Sequence, residues 1–248
     1  MTGKVKAAGT SKRFEDYPRL LQFFAEHEDN LSSKGPLVFG HIGNLGYDFE
    51  REGIAPKTEG YSKKHDNVIY VGIDALSIGA LHTRKLANED RDKERLEEKL
   101  GVSLGRASFA PAKNWLQING EFTRVLRSLP DDTFDLLSSE MAVGGYAGTG
   151  GQTSISDRIR AEGEGPYTTE ILRLCLLKLK PGRKMTIVTS KAHEDMVKDS
   201  FADAGFPKDG TASRPLNEKE YGLTYWTSKG SPDEKKLVRI TARKPKEE

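Results

Sequence analysis

Three stations along the sequence combine a short apolar run with residues suited to polar chemistry at its end. Asp74 closes NVIYVGID (67–74), Glu121 follows NWLQING (114–120), and the glycines of GHIGNLG (40–46) trail PLVFGHI (36–42). An aspartate at the end of a buried strand offers two oxygens, enough for both hydroxyls of a vicinal diol such as ribose. The same residue suits the N-cap of a helix beginning at 75. Glu121, preceded by Gly120, is placed to accept a hydrogen bond from an exocyclic amine such as that of adenine, or to stand as an exposed loop carboxylate. Gly40, Gly43 and Gly46 permit a tight turn and close approach of backbone N–H groups to a ligand, although a plain turn before a helix has the same composition. Their spacing is not a phosphate-binding fingerprint, and the lysine of a P-loop is absent. One acidic group after each of two such runs, beside a glycine loop, describes a nucleoside pocket.

Glu140 leaves a further run, TFDLLSSEMA (133–142), and joins His41 and His193 as a candidate proton acceptor near a strand end. Either histidine fits a hydrogen-bonded structural role as well. A metal centre is not expected. The chain has a single cysteine, Cys175, set in the apolar run ILRLCLLKL, where core packing is its expected role, and neither an intramolecular disulfide nor a multi-cysteine zinc site is possible.

Bringing these stations together requires a sheet. The runs at 36–42 and 67–74 are apolar with β-branched residues, as buried parallel strands are, and 114–120, 133–142 and 183–190 are three further strands. Helical spacing of apolar residues marks 13–27, the stretch from 75 to Gly101, 167–180 and 191–205. Alternation of the two kinds predicts a parallel sheet covered on both faces, with ligands beyond the carboxyl ends of its strands. The tail departs from alternation: GLTYWTSK (222–229), a polar turn and KKLVRITARK (235–244) are too close for a crossover helix and predict an antiparallel hairpin. No linker or repeat divides the chain, so residues 13–248 are expected to form one Rossmann-like domain behind a polar tail at 1–12.

Composition narrows the classes. Of 248 residues, 35% are hydrophobic and 31% charged, and Lys+Arg 39 against Asp+Glu 37 leaves a net charge of +2, so charge alone points to no nucleic-acid coat. No apolar run reaches the ~18 residues of a membrane span, and MTGKVKAAGTSKRF lacks the apolar stretch of a secretory signal. A cytoplasmic protein without a membrane partner is the expectation.

Several segments resemble one family in order and spacing. VGIDALSIGALHTRKLA is similar to the second strand and helix of class I S-adenosylmethionine-dependent methyltransferases, LQINGEF to their third-strand segment and LPDDTFDLLSSEMA to their fourth. LKLKPGRKMTIVT resembles the helix, Lys-Pro-Gly and strand that follow, and FADAGF with the closing hairpin fits the reversed last strand. The resemblance runs from residue 13 to 245 and implies a mostly parallel seven-stranded sheet with helices on both faces and a C-terminal antiparallel hairpin. It also implies S-adenosylmethionine as cofactor, held by Gly43, Asn44, Gly46, Asp74, Gly120, Glu121 and Phe122, and a methyl acceptor near Glu140. SSEMA looks like the Ser-Asp-Met-Ala segment of RNA ribose 2′-O-methyltransferases. In their Lys-Asp-Lys-Glu set Glu140 would take the aspartate position and Glu218 or Glu220 the final glutamate, while Thr189 falls near the second lysine and Lys12 loosely matches the first. The acceptor implied is RNA or a small molecule.

Three features depart from the family pattern. Phe39 and Gly40 stand where the family has an acidic residue at the first strand end, and only Gly43 and Gly46 match its glycine turn. The gap from Gly46 to Asp74, 74 − 46 = 28 residues, implies an insertion at the pocket rim. The segment after Glu140 has five glycines within 144–151 and lacks the Asn/Asp-Pro-Pro-aromatic signature of exocyclic-amine methylation. Two other classes stay open: a catalytically inactive methyltransferase-like binding or scaffold protein, and an NAD(P)-dependent oxidoreductase using the same turn and Asp74.

Overall fold

The computed structural model describes residues 36–43, 68–74, 89–140, 143, 159, 162–216 and 236–246. In chain order these form β1 (Leu37–Ile42), β2 (Val68–Asp74), α1 (Glu89–Leu100), β3 (Ser108–Ala112), β4 (Trp115–Asn119), α2 (Phe122–Ser128), β5 (Phe134–Glu140), α3 (Glu164–Lys178), β6 (Leu179–Ser190), α4 (Glu194–Asp203), β7 (Thr211–Pro215) and β8 (Leu237–Arg243). All eight strands join one sheet in the order β3-β4-β2-β1-β5-β6-β8-β7. β4, β2, β1, β5 and β6 run parallel, and apart from the edge strand β3 they follow the doubly wound order 3-2-1-4-5. β8 lies antiparallel between β6 and β7, the reversed strand that the family resemblance implies.

Every residue of β1 and β2 is buried, because both sheet faces are covered at the centre. On one face α3 packs between α2 and α4, placing Leu126, Ile171, Leu172, Cys175, Val197 and Phe201 in the core with Leu137 and Ile187 of the sheet. Burial pushes the Cys175 thiol pKa far up and keeps it a neutral packing residue. α1 stops at Gly101, whose φ of +67° is the left-handed conformation that ends a helix cheaply only with glycine.

The strand candidates at 36–42, 67–74, 114–120 and 133–142 are all present. β6 starts earlier than 183, at Leu179, with a register irregularity opposite Phe134–Leu136 that accommodates Pro181 and Gly182. Two strands escaped the sequence. β3 contains Pro111, which argues against a central strand but is tolerated here because β3 is an edge. β7 (TASRP) is a half-exposed edge strand with no apolar alternation to announce it. Among the described residues the sheet has eight strands, and the antiparallel partner of β8 at its end is β7; residues 222–229 lie outside the described residues, and β8 is flanked by β6 and β7. The helix at 13–27 and residues 75–88 also lie outside the described residues.

Two interactions fix β1 between its neighbours. At its start, the buried Asp135 carboxylate on β5 accepts the Val38 N–H at 2.9 Å and is neutralised by Lys180 at 2.7 Å and Arg183 at 3.4 Å on β6. At its middle, Gly40 leaves room for β5: a Cβ there would stand 2.5 Å from Leu137 Cδ2 and 2.7 Å from Phe134 Cε1. The leucine methyl can swing aside, but the Phe134 ring, fully buried, cannot. Gly40→Ala is therefore expected to destabilise the fold by about 1–3 kcal/mol in chemical denaturation, the range for overpacking a filled core. A midpoint equal to wild type contradicts this packing.

Candidate functional site

The register of the parallel strands brings the polar strand ends level. Ile42 pairs with Ile73 on one side and Ser139 on the other, so the next residues, Gly43, Asp74 and Glu140, share one edge of the sheet. Asp74 in turn pairs with Asn119. Gly43 has φ +81° and donates its N–H to the Ile73 carbonyl at 2.8 Å, and Gly120 donates to the Asp74 carbonyl at 2.8 Å. These bonds continue the ladders one residue past the strands and hold the bare glycine backbones on either side of Asp74. The Asp74 residue is 1% exposed. The order of the sheet reverses direction at β1, which makes this edge the crevice where doubly wound sheets bind ligands.

Asn119 is the residue that sequence inspection passed over. Its Oδ1 is buried and has no hydrogen-bond partner among the described residues. A buried amide oxygen without a donor costs free energy that a bound hydroxyl or amine would recover. Its position in NGE, ahead of the more conspicuous acid, was the available signal.

Glu121 and Phe122 have other work. Glu121 is the N-cap of α2: its carboxylate accepts the Thr123 N–H at 3.1 Å, the Arg124 N–H at 3.0 Å and the Thr123 hydroxyl at 2.7 Å. The Tyr167 hydroxyl on α3 donates to Oε1 at 2.7 Å. Four donors match the roughly four lone-pair positions of a carboxylate, so Glu121 is a helix cap and not a free loop carboxylate. Partial burial acts to raise its pKa, but the hydrogen bonds from Thr123, Tyr167 and the Thr123 and Arg124 backbone outweigh burial and hold it below the usual carboxylate value. Phe122 is 1% exposed and belongs to the hydrophobic core, so its ring is committed there instead of facing a ligand.

Of the other candidates, Asn44, Gly46, Lys12, Glu218 and Glu220 lie outside the described residues. Glu140 closes β5 opposite Val188, and its side chain lies outside the described part. Thr189 is fully buried in β6. Neither Gly40 nor His41 follows β1, as the sequence suggested; both lie within it. His41 is buried beside its register partner Ser138, whose Oγ is 3.3 Å from Nδ1, and burial lowers its pKa to about 4. It is neutral at working pH. His193 stands at the end of β6, two strands from β1, with Nδ1 2.7 Å from Ser190 Oγ and Nε2 4.0 Å from Glu164 Oε2. No grouping of three or more His, Cys, Asp or Glu among the described residues is arranged to hold a metal ion.

Two stability measurements check these assignments. Glu121→Ala should cost about 1–2 kcal/mol through the lost N-cap. Because its folded pKa lies below the unfolded 4.5, that contribution is present above pH 4.5 and fades as pH falls through the folded value. An Ala variant as stable as wild type at pH 7 contradicts the cap. For His41 the unfolded chain takes up a proton near pH 6.5 and the folded chain only near 4, so wild type should lose stability between those values. His41→Gln should lose about 3 kcal/mol less on going from pH 7 to pH 4. Equal losses would mean that the imidazole is not held neutral.

No family model matches the chain, and no curated protein matches it. Among solved structures it is similar to the 16S rRNA methyltransferase KamB, with 16% identity over 89% of this chain and 93% of that one and a TM-score of 0.44. It is similar to the [4+2]-cyclase SpnF, with 11% identity over 92% of this chain and 82% of that one and a TM-score of 0.48. A third likeness is to a 16S rRNA adenine N1-methyltransferase mutant from Catenulisporales acidiphilia with cosubstrate SAM, at 11% identity over 90% of this chain and 91% of that one and a TM-score of 0.46. At these values the α/β assignment rests on the chain's own strand order: a parallel 3-2-1-4-5 arrangement closed by an antiparallel pair.

Proposed function

We propose that the chain is an S-adenosylmethionine-dependent methyltransferase acting on RNA or a small molecule. The observation that carries this reading is the placement of Asp74 at the end of β2, between Gly43 at the end of β1 and Asn119 at the end of β4. The donor set fits a nucleoside: a carboxylate for hydroxyls, an unpartnered amide oxygen beside it, and glycine backbone at both flanks. The antiparallel β8 between β6 and β7 favours this cofactor over a nicotinamide, whose Rossmann sheet is classed by the order 3-2-1-4-5-6.

Bound S-adenosylmethionine would supply an electrophilic methyl group on a sulfonium. The protein's share is then orientation and exclusion of water, since an in-line displacement needs no nucleophilic side chain. Asp74 accepts the ribose hydroxyls. Gly43, at φ +81°, leaves backbone room for the amino-acid end, and the ammonium there has no first-strand acid to meet because Phe39 and Gly40 stand in its place. Glu140, next to Gly43 across β1 and β5, is the proton acceptor for a hydroxyl acceptor. His41 is not a base in this scheme, being buried and neutral.

Calorimetric titration with S-adenosylhomocysteine, NAD and NADP in parallel tests the reading. Heat is expected with S-adenosylhomocysteine only, with a dissociation constant in the micromolar range or weaker, about −8 kcal/mol. Asp74→Ala should weaken binding by about 1–3 kcal/mol while the fold stays cooperative. Binding of a nicotinamide nucleotide instead, or an unchanged affinity in Asp74→Ala, contradicts it.

A further inference from the structure

Resting on the methyltransferase reading, the geometry points to a cleft that recognises the ribose through Asp74 and Asn119 together and does not read the exocyclic amine of the base. The two residues are register partners on adjacent parallel strands. Neighbouring strands lie ~4.8 Å apart, a span that one vicinal diol bridges by offering a hydroxyl to each side chain. Asn119 Oδ1 is buried without a donor among the described residues, so a hydroxyl there fills an unmet hydrogen bond. The acid beyond it, Glu121, has its acceptor positions taken by Thr123, Arg124 and Tyr167. An adenine amine reaching Glu121 would have to displace one of these donors and unpick either the α2 cap or the tie to α3. The 6-substituent of the base is therefore left without a partner in Glu121.

Specificity follows from this division. Losing the hydroxyl at Asn119 leaves its buried Oδ1 short of a donor, a penalty that a site built for a hydroxyl imposes strongly. Replacing the 6-amino group by a carbonyl leaves nothing newly unpaired.

The test is calorimetry on the full chain with three probes: S-adenosylhomocysteine, its deaminated analogue S-inosylhomocysteine, and its 2′-deoxyribose analogue. Wild type should bind the first two within about threefold of each other and the deoxy compound at least tenfold more weakly. Asn119→Ala should weaken S-adenosylhomocysteine about tenfold and shrink the penalty for the deoxy compound. Glu121→Gln, which keeps one acceptor oxygen for the cap, should leave the ratio of the first two probes unchanged. A loss of tenfold or more with S-inosylhomocysteine, or equal affinity of Asn119→Ala and wild type, overturns the inference while leaving the cofactor assignment standing. Wild-type protein that binds none of the three overturns both, and circular dichroism of each variant separates lost binding from lost fold.

Discussion

The contact of β5 with the bare backbone at Gly40 is the constraint on which the rest of the structure depends. β1 is the central strand, and its register against β2 and β5 decides which residues reach the carboxyl edge. A one-residue slip would reverse the faces of every side chain in it and carry Gly43 away from Asp74. Two features oppose that slip. Phe134 and Leu137 occupy the space that any other residue at position 40 would need, and Asp135 grips the Val38 N–H at the opposite end of the strand. The buried Asp135 carboxylate is tolerable because Lys180 and Arg183 reach it from β6, so the same ion group joins three neighbouring strands.

That construction explains why the polar residues at the edge are spaced as they are. Asp74, Asn119 and Gly43 come from three strands far apart in sequence, and each is the first or last residue that the ladder hydrogen bonds hold in place. Helices α2 and α3 are tied by Glu121, which caps the first and accepts from Tyr167 on the second, so a residue adjoining the crevice serves the packing of one sheet face. His41 and Ser138 fill the seam between β1 and β5 just below the crevice, and their burial keeps charge out of the sheet.

The central strands were legible because apolar, β-branched runs such as VIYVGID have no competing reading, and Asp74 at a strand end is informative in a way that a surface aspartate is not. β3 and β7 were not legible, since edge strands need neither an apolar run nor freedom from proline. Glu121 shows a different limit. A carboxylate just before a helix looks the same in sequence whether it caps the helix or faces a ligand, and the residue that decides, Tyr167, lies 46 positions away. The side chain of Phe122, next in sequence, is buried in the core, which its position after an acidic residue does not announce. Gly40, a residue type that composition alone assigns to a turn, here serves close packing within a strand.

The central claim is that the shared end of β1, β2 and β4 holds a nucleoside. Amide chemical-shift mapping of isotope-labelled protein with S-adenosylhomocysteine addresses it most directly. The account predicts saturable shifts concentrated at Gly43, Asp74, Asn119 and Gly120, with β7 and β8 unmoved. Shifts centred on β7 and β8, or none at these four residues when the ligand saturates, would contradict it.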